Sequence, residues 1–352
     1  MNGRTRLSIA LATCNGEAFL PGQLDSLAAQ KRRPDELVVC DDCSSDRTVE
    51  ILNQFAASAP FSVRIIRNET RQGHNRNFDQ AINLCSGNII LPCDQDDVWL
   101  PDKIAKIEAA FIDFPSVGLV FSNSALVDVD LKPLGRELYG RARRSTATLY
   151  VRGAPAIESV RATGLVAGHT MAFRGLPPLL KPWGAIADTF DVSRSIVAAA
   201  ISDCIFIPQA LTLYRRHSNQ QTACKMDISS AFDGTIDTHI KLERTFASVL
   251  EWAKAVDLPS EILQVLASYR EMASFMLTLP PSRVGRALPI LRKLLDGKYH
   301  RFANGYRTAA RDFLVPIPVL PRGCFPALNV AAPTLPLPGA ERPSLLPPAH
   351  ER

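Results

Sequence analysis

Asn88-Ile89-Ile90-Leu91-Pro92-Cys93-Asp94-Gln95-Asp96-Asp97-Val98-Trp99 is an apolar run that empties into four residues, three of them carboxylates. A short run of this kind, bounded by turn and helix signals, fits a parallel strand buried on both faces better than a half-exposed one. In open α/β sheets ligands gather beyond the carboxyl ends of the strands, so these acids are expected at a binding crevice. Three carboxylates that close repel one another unless a cation or a set of donors neutralises them, and hard oxygen ligands suit Mg2+ or Mn2+. The stretch asks for a metal and a phosphate.

Working outward, the same pattern recurs. Residues 7–12 are apolar and run into Thr13-Cys14-Asn15-Gly16, after which Leu20, Leu24, Leu27 and Ala28 fall at helical spacing. Leu37-Val38-Val39-Cys40 ends in Asp41-Asp42, and Ser44-Ser45-Asp46 precedes a helix carrying Val49, Leu52 and Phe55. Taken alone, Asp41-Asp42 reads as a helix N-terminal cap. Residues 61–66 give a third strand and 75–85 a helix, while Pro101 opens another helix with Ile104, Ile107 and Phe111 on one side. Alternating strand and helix predicts an α/β fold with a mostly parallel, Rossmann-like sheet and right-handed crossovers. The polar clusters at 13–17, 41–42 and 94–97 then share one edge of it.

Beyond that, residues 117–122 read as a fifth strand, with 125–129 and the turn 130–135 as a hairpin partner. Residues 136–152 are arginine-rich, and Arg141, Arg143 and Arg144 are candidates for an anionic acceptor. Strands are expected at 165–173, 204–207 and 211–215 and a helix at 188–200. From about residue 229 the pattern is helical only. It ends in Leu291-Arg292-Lys293-Leu294-Leu295 and Lys298-Tyr299-His300-Arg301-Phe302, where basic and apolar residues interleave, a pattern that fits either a helix lying on an anionic leaflet or a soluble basic helix. Residues 316–348 are proline-studded without periodicity and read as an unstructured tail.

With 352 residues, 46% of them apolar, the chain can bury a core without staples. A net charge of +5 in no single block gives little support for nucleic acid as a partner. The eight cysteines are scattered and no secretory leader pattern precedes them, so a reducing cytosol is expected. Cys40 and Cys43 form a C-x-x-C without a second pair at zinc-like spacing, and read as small buried hydrophobes. No stretch approaches the roughly 20 apolar residues of a membrane span. Phosphate-loop, dinucleotide-turn, nucleophile-elbow and zinc-helix motifs are all missing, so a phosphate here would be held through a metal.

The order of residues 7–15, Val39-Cys40-Asp41-Asp42-Cys43-Ser44-Ser45-Asp46, Asn75-Arg76-Asn77-Phe78 and Asp94-Gln95-Asp96-Asp97-Val98-Trp99 resembles family 2 glycosyltransferases of the glycosyltransferase-A fold, nearest their rhamnosyltransferase-like branch. The resemblance covers roughly residues 5–225. It implies a nucleotide-sugar donor, a divalent metal and inversion at the anomeric carbon. Asp42, with Asp41 beside it, would contact the nucleotide base, and Thr13, Asn15 and Glu17 would line the same pocket. Asp94 would meet the ribose or sugar and Asp96 the metal, with Asp97 orienting its neighbours. Arg76 and Asn77 could reach phosphate or cap their helix.

The family's acid-plus-tryptophan base motif aligns with Phe190-Asp191, which makes Asp191 the expected base and Asp188 its nearby substitute. Val192 and Ser193 replace the usual tryptophans, a departure in the acceptor pocket. Leu213-Tyr214-Arg215-Arg216-His217 resembles the family's closing motif, so His217 is a candidate for metal or diphosphate. His169, where the family usually has a small residue or cysteine, would touch the acceptor. Cys14 replaces an aromatic residue that often stacks on the base.

The organisation implied is a catalytic domain at 1–225, with a donor half at 1–123 and an acceptor half at 124–225, a helical appendage at 226–315 and a disordered tail at 316–352. The expected activity is sugar transfer to a cell-surface glycan or lipid-linked acceptor, with rhamnose the sugar that the resemblance implies, in the cytoplasm and at the inner face of the plasma membrane. Two other readings compete. Asp94-Gln95-Asp96-Asp97-Val98 also satisfies the D-x-D-x-V of haloacid dehalogenase-type phosphatases, although three strands precede it. The loss of the tryptophans fits a non-catalytic nucleotide-sugar-binding scaffold.

Overall fold

A computed structural model of the protein describes residues 5–139, 148–162, 166–217, 220, 228–280, 282–303 and 305–314. The expectations for Arg141, Arg143, Arg144, Ser218, Asn219, Cys224, Cys324 and the tail at 316–352 lie outside the described residues.

The leading half alternates as expected: β1 (Leu7–Thr13), α1 (Leu20–Ala28), β2 (Glu36–Asp41), α2 (Thr48–Ser58), β3 (Ser62–Arg67), α3 (His74–Asn83), β4 (Ile89–Asp94), β5 (Val98–Trp99) and α4 (Lys103–Asp113). Then follow β6 (Val117–Val127), β7 (Pro133–Glu137), β8 (Thr148–Tyr150), α5 (Ala154–Ala162), a 3-10 turn (Gly168–Thr170), β9 (Met171–Arg174), α6 (Trp183–Ala187), α7 (Phe190–Ile201) and β10 (Asp203–Arg215). Five helices close the described chain: α8 (Ile228–Ala255), α9 (Ser260–Leu277), α10 (Arg283–Leu295), α11 (Lys298–Phe302) and α12 (Tyr306–Leu314).

The strands form one sheet in the order β3-β2-β1-β4-β9-β6-β10-β5, with β7 added beside β6 and β8 beside β10. β3, β2, β1 and β4 are mutually parallel, and β9 runs antiparallel between β4 and β6. β1 is buried at all seven positions, as its unbroken apolar run requires of a strand covered on both faces. Leu7, Ile9 and Leu11 pack with α1, α2 and α4 on one side. Ala10 and Ala12 face α3, and the core they belong to extends through α5, α7, α8 and α9.

The chain leaves β1 toward β2 and β3, then returns to place β4 on β1's other side. Register puts Thr13 opposite Asp41 and Ala12 opposite Asp94. The three polar clusters therefore stand at the carboxyl ends of adjacent strands, at the switch point where such sheets bind ligands.

The trailing half departs from the sequence reading. The residues read as a strand at 117–122 and a hairpin arm beyond it make one strand, β6, and the return strand is β7. Asn123 and Ser124 look like a turn in sequence but are fully buried, because each is satisfied inside: Asn123 donates to Glu137 at 2.7 Å and Ser124 Oγ meets His169 Nε2 at 3.1 Å. Residues 204–207 and 211–215 likewise join as β10, bulged around Ala210. The expected strand at 165–173 is shortened to β9 behind the 3-10 turn.

Candidate active site

The loops after β1 and β2 are knitted together. Asp41 accepts from Thr13 Oγ1 (2.9 Å), Ser44 N (3.0 Å) and Ser44 Oγ (2.5 Å). Asp42 accepts from the Gln72 and Gly73 amides at 2.6 and 2.8 Å and from Asn68 Nδ2 at 3.0 Å. Both residues are buried. The helix-cap alternative belongs instead to Asp46, which accepts from Thr48 N at 3.0 Å.

Asn15, at φ 48°, accepts from Ser45 N at 2.8 Å, and Glu17 accepts from Arg47 N at 3.0 Å. Gln95 clamps the β1 loop to the acid loop by exchanging bonds with Cys14 N (2.8 Å) and Cys14 O (3.0 Å). A Cβ at Gly16 would fall 2.3 Å from Gln95 Oε1, so the clamp requires glycine there. Arg76 is exposed on α3, whereas Asn77 is turned into the sheet and donates to Cys40 O at 2.8 Å. Asn77 also accepts from Asn68 Nδ2 at 3.0 Å, the amide that reaches Asp42, so it supports the loops of the crevice from beneath.

The third cluster is built differently. Asp94, a quarter exposed, and Asp97, fully buried, each place Oδ2 3.8 Å from His169 Nδ1. These three ligand atoms lie within 4.8 Å of one another. Asp97 Oδ1 accepts from Arg215 N at 3.1 Å, but Oδ2 has no hydrogen-bond partner among the described residues. The His169 ring stacks on Tyr214 at 4.5 Å and meets Ser124 Oγ through Nε2 at 3.1 Å. A donated Nε2–H there leaves the Nδ1 lone pair facing the acids, the tautomer a metal ligand needs.

Beneath them lies Lys103, fully buried, with Nζ 2.6 Å from His169 O, 2.9 Å from Thr212 Oγ1 and 3.7 Å from the centre of the Trp99 ring. A cation inside the fold thus offsets part of the acids' charge.

At the mouth, Asp96 Oδ2 and His217 Nε2 meet at 2.9 Å although 121 residues separate them. His217 packs on Phe19 with ring centres 4.6 Å apart, and Arg215 covers the same ring while donating from Nε to Asp96 O at 2.9 Å. Asp191 sits in the first turn of α7, accepting from Val192 N at 2.8 Å and Gly168 N at 3.1 Å. Phe190 stacks on Phe78 at 4.1 Å and fills the space where Gly168 would carry a Cβ. Asp188 turns away, paired with Arg244 at 2.6 Å. Val192 and Ser193, at the tryptophan positions, are buried.

The electrostatics follow from this packing. Burial raises Asp94 to about 8, helped by the charges of Asp96 and Asp191, so Asp191 lies within electrostatic reach of the cluster. Burial and the charges of Asp96 and Asp94 push Asp97 well up, and burial raises Asp191 against its backbone donors. Burial lowers Lys103 to about 7 and His169 to about 3. Such opposed shifts in one crevice mark a place where ligand charge completes the balance. The orphaned Asp97 oxygen and the mixed carboxylate and imidazole donors fit a divalent ion, Mn2+ more readily than the all-oxygen preference of Mg2+.

Residues 8–145 match the family model for glycosyl transferase family 2. The chain carries a family 2 glycosyltransferase domain. Over 223 residues the chain is 26% identical to an uncharacterized protein of Mycobacterium tuberculosis, covering 60% of this chain and 59% of that one. It is thus similar to less than two thirds of that relative's length. Over 98 residues it is 35% identical to the dTDP-rhamnosyl transferase RfbG of Shigella flexneri, covering 27% of this chain and 34% of the relative. Among solved structures it resembles Staphylococcus aureus TarS 1–349 in complex with UDP-GlcNAc, with TM-score 0.52, 16% identity and coverage of 88% and 91%. It also resembles a mannosyltransferase from Pyrobaculum calidifontis in complex with GDP-Man and Mn2+, with TM-score 0.50, 18% identity and coverage of 89% and 86%. These likenesses bear on the fold. The phosphatase reading is set aside, since its D-x-D-x-V stretch is the fourth strand of this family 2 domain.

Lys103, Ser124 and Thr212 were not singled out from sequence. A lysine as the first residue of α4 opposes the helix dipole, and that is the signal by which Lys103 could have been found.

Proposed function

We propose that the protein is an inverting glycosyltransferase that moves a sugar from a nucleoside diphosphate to a hydroxyl of a glycan or lipid-linked acceptor. The family 2 domain supports the reaction class. The observation that carries the mechanism is the convergence of Asp96 and His217 at 2.9 Å beside Asp94, within electrostatic reach of Asp191. In this reading Asp96 and His217, a carboxylate and imidazole pair beside the Asp94, Asp97 and His169 set, would hold Mn2+ or Mg2+, and a bound ion would supply positive charge against the charge that develops on the departing diphosphate.

Thr13, Asn15, Glu17, Asp41 and Asp42 shape the base pocket, with the two aspartates holding its loops. Asp94 meets the ribose or sugar, and Arg76 is the exposed cation available to phosphate. Asp191 takes the proton from the acceptor hydroxyl, and burial strengthens it as a base once ionised. The donor half is 1–123, the acceptor half 124–225 and the helical part 226–315. Relatives named for dTDP-rhamnose, UDP-GlcNAc and GDP-Man leave rhamnose as one donor sugar to test among several. A cytoplasmic enzyme at the inner face of the membrane suits a lipid-linked acceptor. No helix among the described residues is long and apolar enough to cross a membrane.

Thermal-shift measurements with UDP-, dTDP- and GDP-sugars, with and without Mn2+, test the reading. The expected result is a metal-dependent rise in melting temperature with one nucleotide class, lost in Asp96→Asn and His217→Ala. No metal-dependent rise with any of them contradicts it.

A further inference from the structure

The outer surface of α10 carries apolar residues where a helix ordinarily meets water. Val284, Leu288, Leu291 and Leu295 are 87%, 54%, 51% and 79% exposed. Their spacing of four, three and four places them on one stripe about 60° wide. The opposite face is the packed one. Arg286 is buried there, donating to Asp312 O at 2.7 Å, and Ile290 joins Met272, Met276, Tyr299 and Ala309 in a small core. α12, which packs beside α10, also exposes Tyr306, Phe313 and Leu314.

The charge around this stripe is concentrated. Residues 283–314 hold eight lysines and arginines and two aspartates, a net of +6 against +5 for the whole chain. The rest of the chain therefore contributes no cationic excess. Lys293 and Lys298 pair with Glu271, Arg301 with Glu158 and Arg311 with Asp312, and Arg286 is buried, so on α10 the exposed cations are Arg283 and Arg292. Arg292 falls on one shoulder of the stripe, and Arg283, in the first turn of α10, lies on its other side about 80° beyond the edge. A symmetric dimer through this face would set one such cationic surface against another, which like-charge repulsion opposes.

We propose that Val284, Leu288, Leu291 and Leu295, flanked by Arg283 and Arg292, form a docking face for an anionic lipid surface. The leucines enter the boundary between headgroups and acyl chains while the guanidinium groups meet the lipid phosphates. The face lies outside the acid cluster, so it stands whether or not the transfer reaction is as proposed above.

Flotation of the full chain with phosphatidylcholine vesicles, and with vesicles in which about 30% of the lipid is phosphatidylglycerol, tests this. The wild type should float with anionic vesicles at least about ten-fold more than with neutral ones, and less as salt rises. Leu288→Glu with Leu291→Glu should abolish flotation, and Arg283→Gln with Arg292→Gln should remove the anionic preference. Both double variants should keep the wild-type melting temperature, since every altered side chain is exposed. Equal binding to the two vesicle types, or flotation that survives Leu288→Glu with Leu291→Glu, overturns the proposal. So does a wild type that binds no vesicle but changes oligomeric state by light scattering when those leucines are replaced, because the face then serves a protein contact.

Discussion

The aspartates that end β2 and those that follow β4 stand two strands apart on one sheet edge, and they are built in opposite ways. Asp41 and Asp42 each accept three hydrogen bonds from loop donors. Asp97 has a single backbone donor for one oxygen and no hydrogen-bond partner among the described residues for the other. Asp94 beside it is raised to about 8 by burial and neighbouring acids. A carboxylate supplied with donors is a staple for the loops around it. One that is buried without them holds free energy that a cation can release. The comparison separates acids that shape the crevice from acids that react in it.

Breaking the proposed base, which lies within electrostatic reach of the second group, should cost function and leave the fold. Asp191→Asn is expected to lower kcat by about 10²- to 10⁴-fold, the range typical of a lost general base, while Asp188→Asn, already paired away with Arg244, should stay near wild type. Steady-state transfer assays on the two variants make the distinction. Equal losses would remove Asp191 from its role, and no loss in Asp191→Asn with nucleotide-sugar binding intact would favour a scaffold.

Breaking the first group should cost the fold. Asp42→Ala leaves two backbone amides and the Asn68 amide without their acceptor, at about 2–4 kcal/mol on denaturant unfolding. Asp97→Asn removes a buried acid whose ionised form is poorly compensated and should unfold at the same or higher denaturant concentration. The reverse ranking would mean that donor supply does not distinguish the clusters. A smaller effect is expected at Gly168→Ala, where the new methyl meets Phe190 at 2.3 Å: about 1–3 kcal/mol, together with a displaced Asp191.

The pH dependence of stability provides a finer comparison. Asp94 holds its proton up to about 8 in the folded chain against an ordinary 3.8, and Asp97 and Asp191 shift the same way. The folded state therefore keeps protons that the unfolded state has released, and stability present at low pH falls as pH rises through that window. His169, held to about 3 against 6.5, works in the opposite direction, as does Lys103, held to about 7 against 10.5, above that pH. His239, held to about 4, and His74, also lowered by desolvation, join His169, while Asp312 joins the raised acids. Four acids against three imidazoles leave a shallow fall in the metal-free melting temperature between pH 4.5 and 7 (about the range the shifts span). The slope should be shallower in Asp94→Asn.

The two halves of the sheet also differ in how far they can be read from sequence. β1, β2 and β4 announce themselves because strands buried on both faces must be continuously apolar. β6 and β10 are interrupted in sequence, by Asn123-Ser124 and by Pro208-Gln209, and these imitate turns until the pairing across the sheet is known. The positions of Asp94, Asp96 and Asp191 in one neighbourhood followed from strand order and from the family resemblance. Asp41 and Asp42 could not be distinguished from them by residue type, because what sets them apart is the number of donors contributed by distant loops. Lys103 was hidden for the same reason: a buried lysine and a solvated one are written identically.

The central claim is that the acid and imidazole ends of β4 and β10 hold a cation that receives a nucleoside diphosphate. Titration of Mn2+ into the full-length protein, followed by electron paramagnetic resonance with UDP, dTDP or GDP present, tests it most directly. One tightly held Mn2+ per chain, weakened at least about ten-fold in both Asp96→Asn and His217→Ala but unchanged in Asp188→Asn, is the predicted result. Binding that is indifferent to Asp96 and His217, or no nucleotide-dependent binding at all, would contradict the account.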